Sequence, residues 1–369
     1  PQVNYFGNLE DVDGLTDLAK DAGAQSIAII DPILLANGGL KQPSLFGVNG
    51  CNMIVGEGQD LALPPIYGGP GLGIFGIRFN ENDKVSVRST AGRFVGAGKD
   101  QYGKDCKLLV LSTREQHIRR EKATSNICSN QAFVATLAGA ALLAKGDEGL
   151  KIACAKARKN AVVVFEKLTA LLGVEAAFPK TAFYNEFTLK IPMAVSEFIN
   201  KCTNAGILPG VDVSKRLTNG GNLILVSLSD IQTDKDIDLL VELFKKVLNI
   251  KKNQVMAIVP ELPEKLLRKT STGILKIEEK KIIDYYKKLG DLNASPDDSI
   301  YPLGSCTMKY NPYINDYAAG LEGFLNNHPE APENISQGSM EVIYHVQEWL
   351  KKITGLPGVT TQPLAGAQG

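Results

Sequence analysis

Residues 112–131, S-T-R-E-Q-H-I-R-R-E-K-A-T-S-N-I-C-S-N-Q, concentrate groups that could do chemistry. They hold one of the chain's three histidines, four cations (Arg114, Arg119, Arg120, Lys122) and two carboxylates (Glu115, Glu121). His117, ionising near neutral pH, suits either orienting a substrate and shuttling a proton or a hydrogen-bonded structural place. Arginines five and six apart on a helix point to different faces. One or two of the three arginines therefore suit a carboxylate or phosphate, while another pairs with Glu115 or Glu121. Thr124, Ser125 and Asn126 are N-cap types, and residues 132–144 are almost wholly small or apolar, which predicts a helix buried on most faces. The charged segment is thus expected at a helix N-terminus, where free N–H groups and the helix dipole favour anions. A solvated charge run ahead of a core helix fits the same pattern.

Three other stretches carry polar chemistry. In residues 301–312, Y-P-L-G-S-C-T-M-K-Y-N-P, the groups of Ser305, Cys306, Thr307, Lys309 and Asn311 crowd between Pro302, Gly304 and Pro312. Such a turn suits holding a small carboxylate, or is simply an Asx/Ser-rich turn; Cys306 reads as a small buried residue. Residues 364–369, L-A-G-A-Q-G, are a Gly-containing turn after a strand or loop. Residues 71–76, G-L-G-I-F-G, match G-x-G-x-x-G, but that motif must open a helix, and here the glycines run into the strand-like alternation of I-F-G-I-R-F.

The elements that must position these groups read as α/β. A helix is predicted over residues 8–23, capped by Asn8 and stopped by Gly23, then an apolar strand over 25–30 ending at Asp31-Pro32, then a strand near 52–55. Asp31, at the carboxyl end of a strand, sits where parallel sheets place ligands. Residues 84–107 read as a hairpin-like flap with turns at Gly92, Gly98 and Gly103, carrying Arg93 and Lys99 towards a pocket, and residues 108–111 as a return to the core. An amphipathic helix over 147–173 places Leu150, Val164, Phe165 and Leu168 on apolar faces. Strands at 185–191 and 222–228, a helix near 196–205 and a helix over 233–248 follow. The last has a Thr-x-x-Asp cap and apolar residues at 239, 240, 243 and 244. Residues 251–281, with Pro260, Pro263 and many lysines, read as a linker plus the start of a new module, with the junction near residue 256.

At 369 residues the chain is long enough for two or more domains. Its 40 cations balance 40 anions, so bulk attraction to nucleic acid or to an anionic membrane is not expected. The apolar runs are too short to span a bilayer. Six cysteines without a C-x-x-C pair argue against structural zinc and a disulfide framework, and for a reducing compartment. No signal or transit segment is read. The start at Pro1 and the stop at Gly369 are read as cut ends.

The stretch T-R-E-Q-H-I-R-R-E-K-A-T-S-N-I-C, with Y-P-L-G-S-C-T-M-K-Y-N-P, G-E-G-Q at 56–59 and Y-G-G-P at 67–70, closely resembles the glycine decarboxylase P-protein family of the glycine cleavage system. The resemblance implies a fold type I pyridoxal-phosphate enzyme, similar to aspartate aminotransferase. The chain would then hold part of the large α/β domain of the non-catalytic half (1–145), that half's small α+β domain (146–255), a linker with N-terminal helices of the second half (256–300), and the start of the cofactor-bearing large domain (301–369). It implies that Ala365, Gly366, Ala367 and Gln368 belong to the turn cradling the cofactor phosphate. Arg114, Arg119, Ser305, Thr307, Lys309 and Asn311 would line the active-site wall, with His117 the catalytic candidate. His328 would stand near the second half's entrance, and His345 reads as an ordinary helix residue.

In this family Asp31 would match the residue pairing the pyridinium nitrogen, but residues 42–83 contain no lysine, so Asp31 reads as a relic of that role or as a turn-former. No lysine here matches the family's Schiff-base motif, which implies that the chain alone is inactive; large-domain sheets that lack strands and leave edges open imply that it is marginal as a fold. Implied partners are glycine, lipoylated H-protein and the other P-protein half or subunit, as homodimer or heterotetramer. The implied location is the bacterial cytoplasm or the mitochondrial matrix. A non-catalytic scaffold or regulatory relative, and a nicotinamide oxidoreductase, are the alternatives.

Overall fold

The structure, a computed structural model, describes residues 1–82, 84–90, 94–110, 116–123, 130–293 and 312–363. Helix α1 (Val12–Asp21) starts later than the expected cap at Asn8. Asn8 instead forms an antiparallel bridge with Phe183, and its N–H donates to Asn4 Oδ1 at 3.1 Å. Those bonds satisfy backbone groups that a longer helix would use. Gly23 ends α1 as predicted: at φ 69° its N–H reaches Lys20 O at 2.9 Å.

Strands β1 (Ile27–Ile30) and β2 (Met53–Glu57) pair in parallel, Ile27 opposite Met53. Strand β3 (Gly73–Ile77) adds antiparallel to β2, giving the order β1-β2-β3. The glycines of 71–76 therefore enter a strand, and the dinucleotide reading fails on its own structural criterion. Helix α2 (Lys84–Arg88) is followed by an antiparallel hairpin of β4 (Phe94–Lys99) and β5 (Asp105–Val110), turning at Gly103 with φ 78°. Gly98 is not a turn, since it lies within β4. Lys99 pairs with Asp105 across the hairpin, which occupies the charge assigned to a pocket. Residues 108–110 do not return to the core, for Leu108, Leu109 and Val110 are all exposed. Gly92, Arg93 and Leu111 lie outside the described residues.

Helix α3 (Gln116–Arg119) and a 3-10 turn (Arg120–Lys122) precede α4 (Asn130–Thr169). The two helices expected over 132–173 are one element, broken at Gly146 (φ 60°, ψ −174°). Before the break Val134 and Ala138 are buried, but Phe133 is 60% exposed. The expectation of a helix covered on most faces is thus corrected to a single buried stripe. Ala and Gly carry too little apolar area to demand cover, so their abundance does not locate a core. Beyond the break Leu150, Val164, Phe165 and Leu168 are all buried, as predicted.

The rest of that core is an antiparallel sheet, β6 (Glu175–Ala176), β7 (Glu186–Lys190), β8 (Val211–Asp212) and β9 (Leu223–Ser227), in the order β6-β7-β9-β8. Helices α5 (Val195–Thr203) and α6 (Asp234–Val247) pack with it. Phe165, Phe183 and Phe187 form an aromatic triangle with centroids 5.1–5.3 Å apart, and Phe198 meets Phe244 edge-on at 4.6 Å. Thr233 and Asp236 close the predicted capping box, an arrangement that contributes about 1 kcal/mol. The buried face of α6 is Ile237, Val241, Leu243 and Phe244. Leu239, expected among them, is 49% exposed, because the core-facing stripe passes to either side of it.

A second core joins Leu9, Ile30, Leu34, Phe46, Leu150, Cys154 and Tyr184, so α4 contributes to both. Helices α7 (Glu279–Gly290), α8 (Tyr313–Ala319), α9 (Glu322–Leu325) and α10 (Gln337–Thr354) follow. Among the described residues no helix is long and apolar enough to cross a membrane.

Candidate functional site

Of the catalytic, wall and phosphate-turn side chains that the resemblance implies, the structure describes one. Arg119 is exposed at the end of α3. The backbone of His117 lies in α3, but its side chain lies outside the described residues, as do Arg114, Ser305, Thr307, Lys309, Asn311, Ala365, Gly366, Ala367 and Gln368, and the cap candidates Thr124, Ser125 and Asn126. His328 Nδ1 accepts the N–H of Glu330 at 3.1 Å, shaping its own turn. His345 stacks on Trp349 within α10.

What the described residues do assemble is the carboxyl end of the parallel pair. Asp31 follows β1, and its Oδ1 accepts the N–H of Ile33 at 2.9 Å, the bond of a turn-forming aspartate before proline. A cleft of about 210 Å³ opens beside it, lined among others by Gln2, Ile30, Leu34, Asn185 and Glu186. Asn185 Oδ1 is buried without a hydrogen-bond donor, while its amide donates to Leu228 O at 3.0 Å. Asp31 keeps an open edge to solvent, yet the atoms packed round its carboxyl strip hydration and push its pKa up. Lost hydration raises Glu186 too, against the hydroxyl of Ser227, and Asp31 adds to the rise. Asp60 is pushed up to about 6, first by lost hydration and then by the charge of Asp31.

A carboxyl whose folded pKa lies above its ordinary value of 3.8 opposes folding increasingly as pH rises from there to about 6, and fully above. Asp60 is solvent-exposed, so screening holds that penalty below about 1 kcal/mol. An NMR carboxyl titration is expected to show Asp60 titrating near pH 6, and lower when Asp31 is changed to Asn. A midpoint at the ordinary value would mean that these carboxyls do not share one end of the sheet.

The residues lining this cleft offer acceptors and carboxyls, with no cation among them. They do not fit a phosphate dianion. Asp31, Asp60 and Glu186 were not legible as a group, because they follow β1, follow β2 and open β7, strands of two different sheets. A single hint was available: Asp60 directly follows G-E-G-Q.

That motif has a structural task. Glu57 Oε1 accepts the N–H groups of Gly58 (2.9 Å), Gln59 (2.8 Å) and Leu72 (2.7 Å), and the Gln59 amide donates to Pro64 O and Pro65 O. The loop so closed reaches the later helices, for Tyr67 N–H donates to Asn327 O at 2.8 Å.

The chain is a mixed α/β protein. The sequence profile described as glycine cleavage system P-protein matches residues 1–244, and the chain belongs to that family. A probable glycine dehydrogenase (decarboxylating) subunit 1 of Nitrosomonas europaea is 38% identical over 248 residues, covering 67% of this chain and 53% of the relative. The glycine dehydrogenase (decarboxylating) of Bacteroides fragilis is 33% identical over 382 residues, covering 99% of this chain and 37% of its own. The crystal structure of glycine decarboxylase (P-protein) of the glycine cleavage system, in inhibitor-bound form, superposes with a TM-score of 0.59 at 33% identity, over 66% of this chain and 53% of that one. The chain spans about half the length of the subunit 1 relatives it matches.

Proposed function

We propose that this chain is part of a glycine decarboxylase, the pyridoxal-phosphate-dependent P-protein that decarboxylates glycine and passes its aminomethyl group to the lipoyl arm of H-protein. In reaction class it is an oxidoreductase acting on a CH–NH2 group. The observation that carries this reading is the alignment with glycine dehydrogenase (decarboxylating) over 99% of the chain. The division into 1–145, 146–255, 256–300 and 301–369 is proposed with it, as are assembly with a second P-protein half and a location in the bacterial cytoplasm or mitochondrial matrix.

Within that enzyme the two cores around Phe244 and Tyr184 act as scaffold. The cleft beside Asp31 offers carboxyls and no cation, so it does not suit a phosphate. Segments 112–131 and 301–312 are proposed as walls that meet the substrate carboxylate through Arg114, Arg119, Ser305, Thr307, Lys309 and Asn311, with His117 placed for proton transfer. Residues 365–368 are proposed as the phosphate turn.

The chain of residues 1–369 is expected to show no decarboxylase activity and no lysine adduct. The test is to add pyridoxal phosphate, reduce with borohydride, and read the intact mass and any labelled peptide. A stoichiometric adduct on one lysine, Lys309 for example, would overturn this division of labour.

A further inference from the structure

Between α6 and α7 the chain makes no helix longer than one 3-10 turn, Glu264–Leu266, yet it is firmly bonded along its length. It first docks on the core at the end of α4. The Gln254 amide donates to Thr169 O at 3.0 Å and Val174 O at 2.9 Å, and Gln254 N–H donates to Ala170 O. It then crosses to the loop after β1. Lys41 N–H donates to Leu266 O, Arg268 N–H to Gly39 O, and the Arg268 guanidinium to Leu35 O, Thr270 O and Ser271 O. Finally it reaches the break in α4.

That last contact has a specific form. In an unbroken helix the N–H of residue 147 would donate to the carbonyl of residue 143. At Gly146 this rung is missing, and residues 272–277 supply both of its partners. Asp147 N–H donates to Ile274 O at 2.9 Å, and Leu143 O accepts from Ile277 N–H at 2.8 Å. The Asp147 carboxylate anchors the insertion, its Oδ1 accepting the N–H and the hydroxyl of Thr272, both at 2.6 Å. Packing is as close as bonding, for a Cβ built on Gly146 would lie 2.6 Å from Lys276 Cβ. Further along, Tyr286 of α7 donates its hydroxyl to Thr136 O at 3.2 Å, so the chain follows the first arm of α4 back towards its start.

Buried or packed backbone groups at a helix break must find other partners, or the helix re-forms its own bond. We propose that residues 272–277 hold α4 bent by occupying both sides of the 147-to-143 rung, with Asp147 and Thr272 as the positioning residues. The bend sets the direction of the arm that begins at Asn130. That arm is next in sequence to the stretch bearing His117 and Arg119. The element is two-state: with the segment docked α4 is bent, and with it released the rung can close and the arms straighten.

The test uses spin labels on unnatural side chains at Phe133 and Ile152, both exposed and one on each arm. In a straight helix these positions are about 28 Å apart. In the full chain, Thr272→Val and Asp147→Ala are expected to move the pulsed-EPR distance distribution towards that span and to broaden it. Amide exchange of residues 272–278 is expected to rise about tenfold or more, with β7 and β9 unchanged. Thr272→Ser keeps both donors and is expected to restore the unaltered distribution. An unaltered distribution in folded Thr272→Val protein would overturn the proposal. So would a uniform rise in exchange across the chain, or failure of both Thr272→Val and Asp147→Ala to fold, since the proposed role is local.

Discussion

Phe244→Ala is expected to cost about 3–5 kcal/mol, read as a lowered urea midpoint by circular dichroism. Phe244 is fully buried, meets Phe198 edge-on at 4.6 Å, and lies on the face of α6 that closes over the antiparallel sheet. Removing the ring deletes a large buried area and leaves a cavity in the cluster that also holds Ile237 and Val241. The control is Leu239→Ala on the same helix, at a site 49% exposed, for which a change of only about 0.5 kcal/mol is expected. Equal losses at the two sites would mean that the buried face of α6 has been assigned wrongly.

Gly146→Ala is expected to cost about 3 kcal/mol or more, because two separate penalties act at one residue. Its φ of 60° and ψ of −174° belong to a region that side-chain-bearing residues scarcely enter. The added methyl would also meet Lys276 N and Cα, each 2.8 Å away, and backbone on both sides has little room to yield. Chemical denaturation of the full chain reads the loss. Gly103→Ala serves as a comparison: φ is again positive, at 78°, but nothing lies within 4 Å of the added carbon. Its cost is therefore expected to be about 1 kcal/mol, the conformational part alone. If both substitutions cost the same, the contact with Lys276 does not constrain the break.

The two positions also mark what was legible in the sequence. Local signals were read correctly where local chemistry decides them. Thr233 with Asp236 predicted a cap, Gly23 a stop, and the alternation after Gly71 a strand. Positions governed by contacts between distant segments were read wrongly or not at all. Asn8 looks like a helix cap until Phe183, far along the chain, takes its backbone. Leu108 and Leu109 look like core residues, yet the hairpin that holds them leaves them open. Asp31, Asp60 and Glu186 interact only after β1, β2 and β7 have been assembled. The break at Gly146 was legible as the gap between the helices expected over 132–144 and 147–173, but its partner was not. A glycine inside an apolar helix suggests weakness, but nothing nearby reveals that residues 272–277 complete it. The family was legible because its motifs are long and contiguous. The roles of its individual side chains lie largely in residues outside those described and stand as proposed.

The buried cysteines give this chain internal chemical clocks. Cys202 lies in the core around Phe244 and Cys154 in the core around Tyr184, and loss of hydration lifts each thiol to about 11. Alkylating reagents attack the thiolate, which is scarce at neutral pH when the thiol is so raised and out of reach while the core is closed. The labelling rate of each cysteine therefore measures how often its own core opens, and comparing the two asks whether the parts of the molecule joined by α4 breathe together or apart.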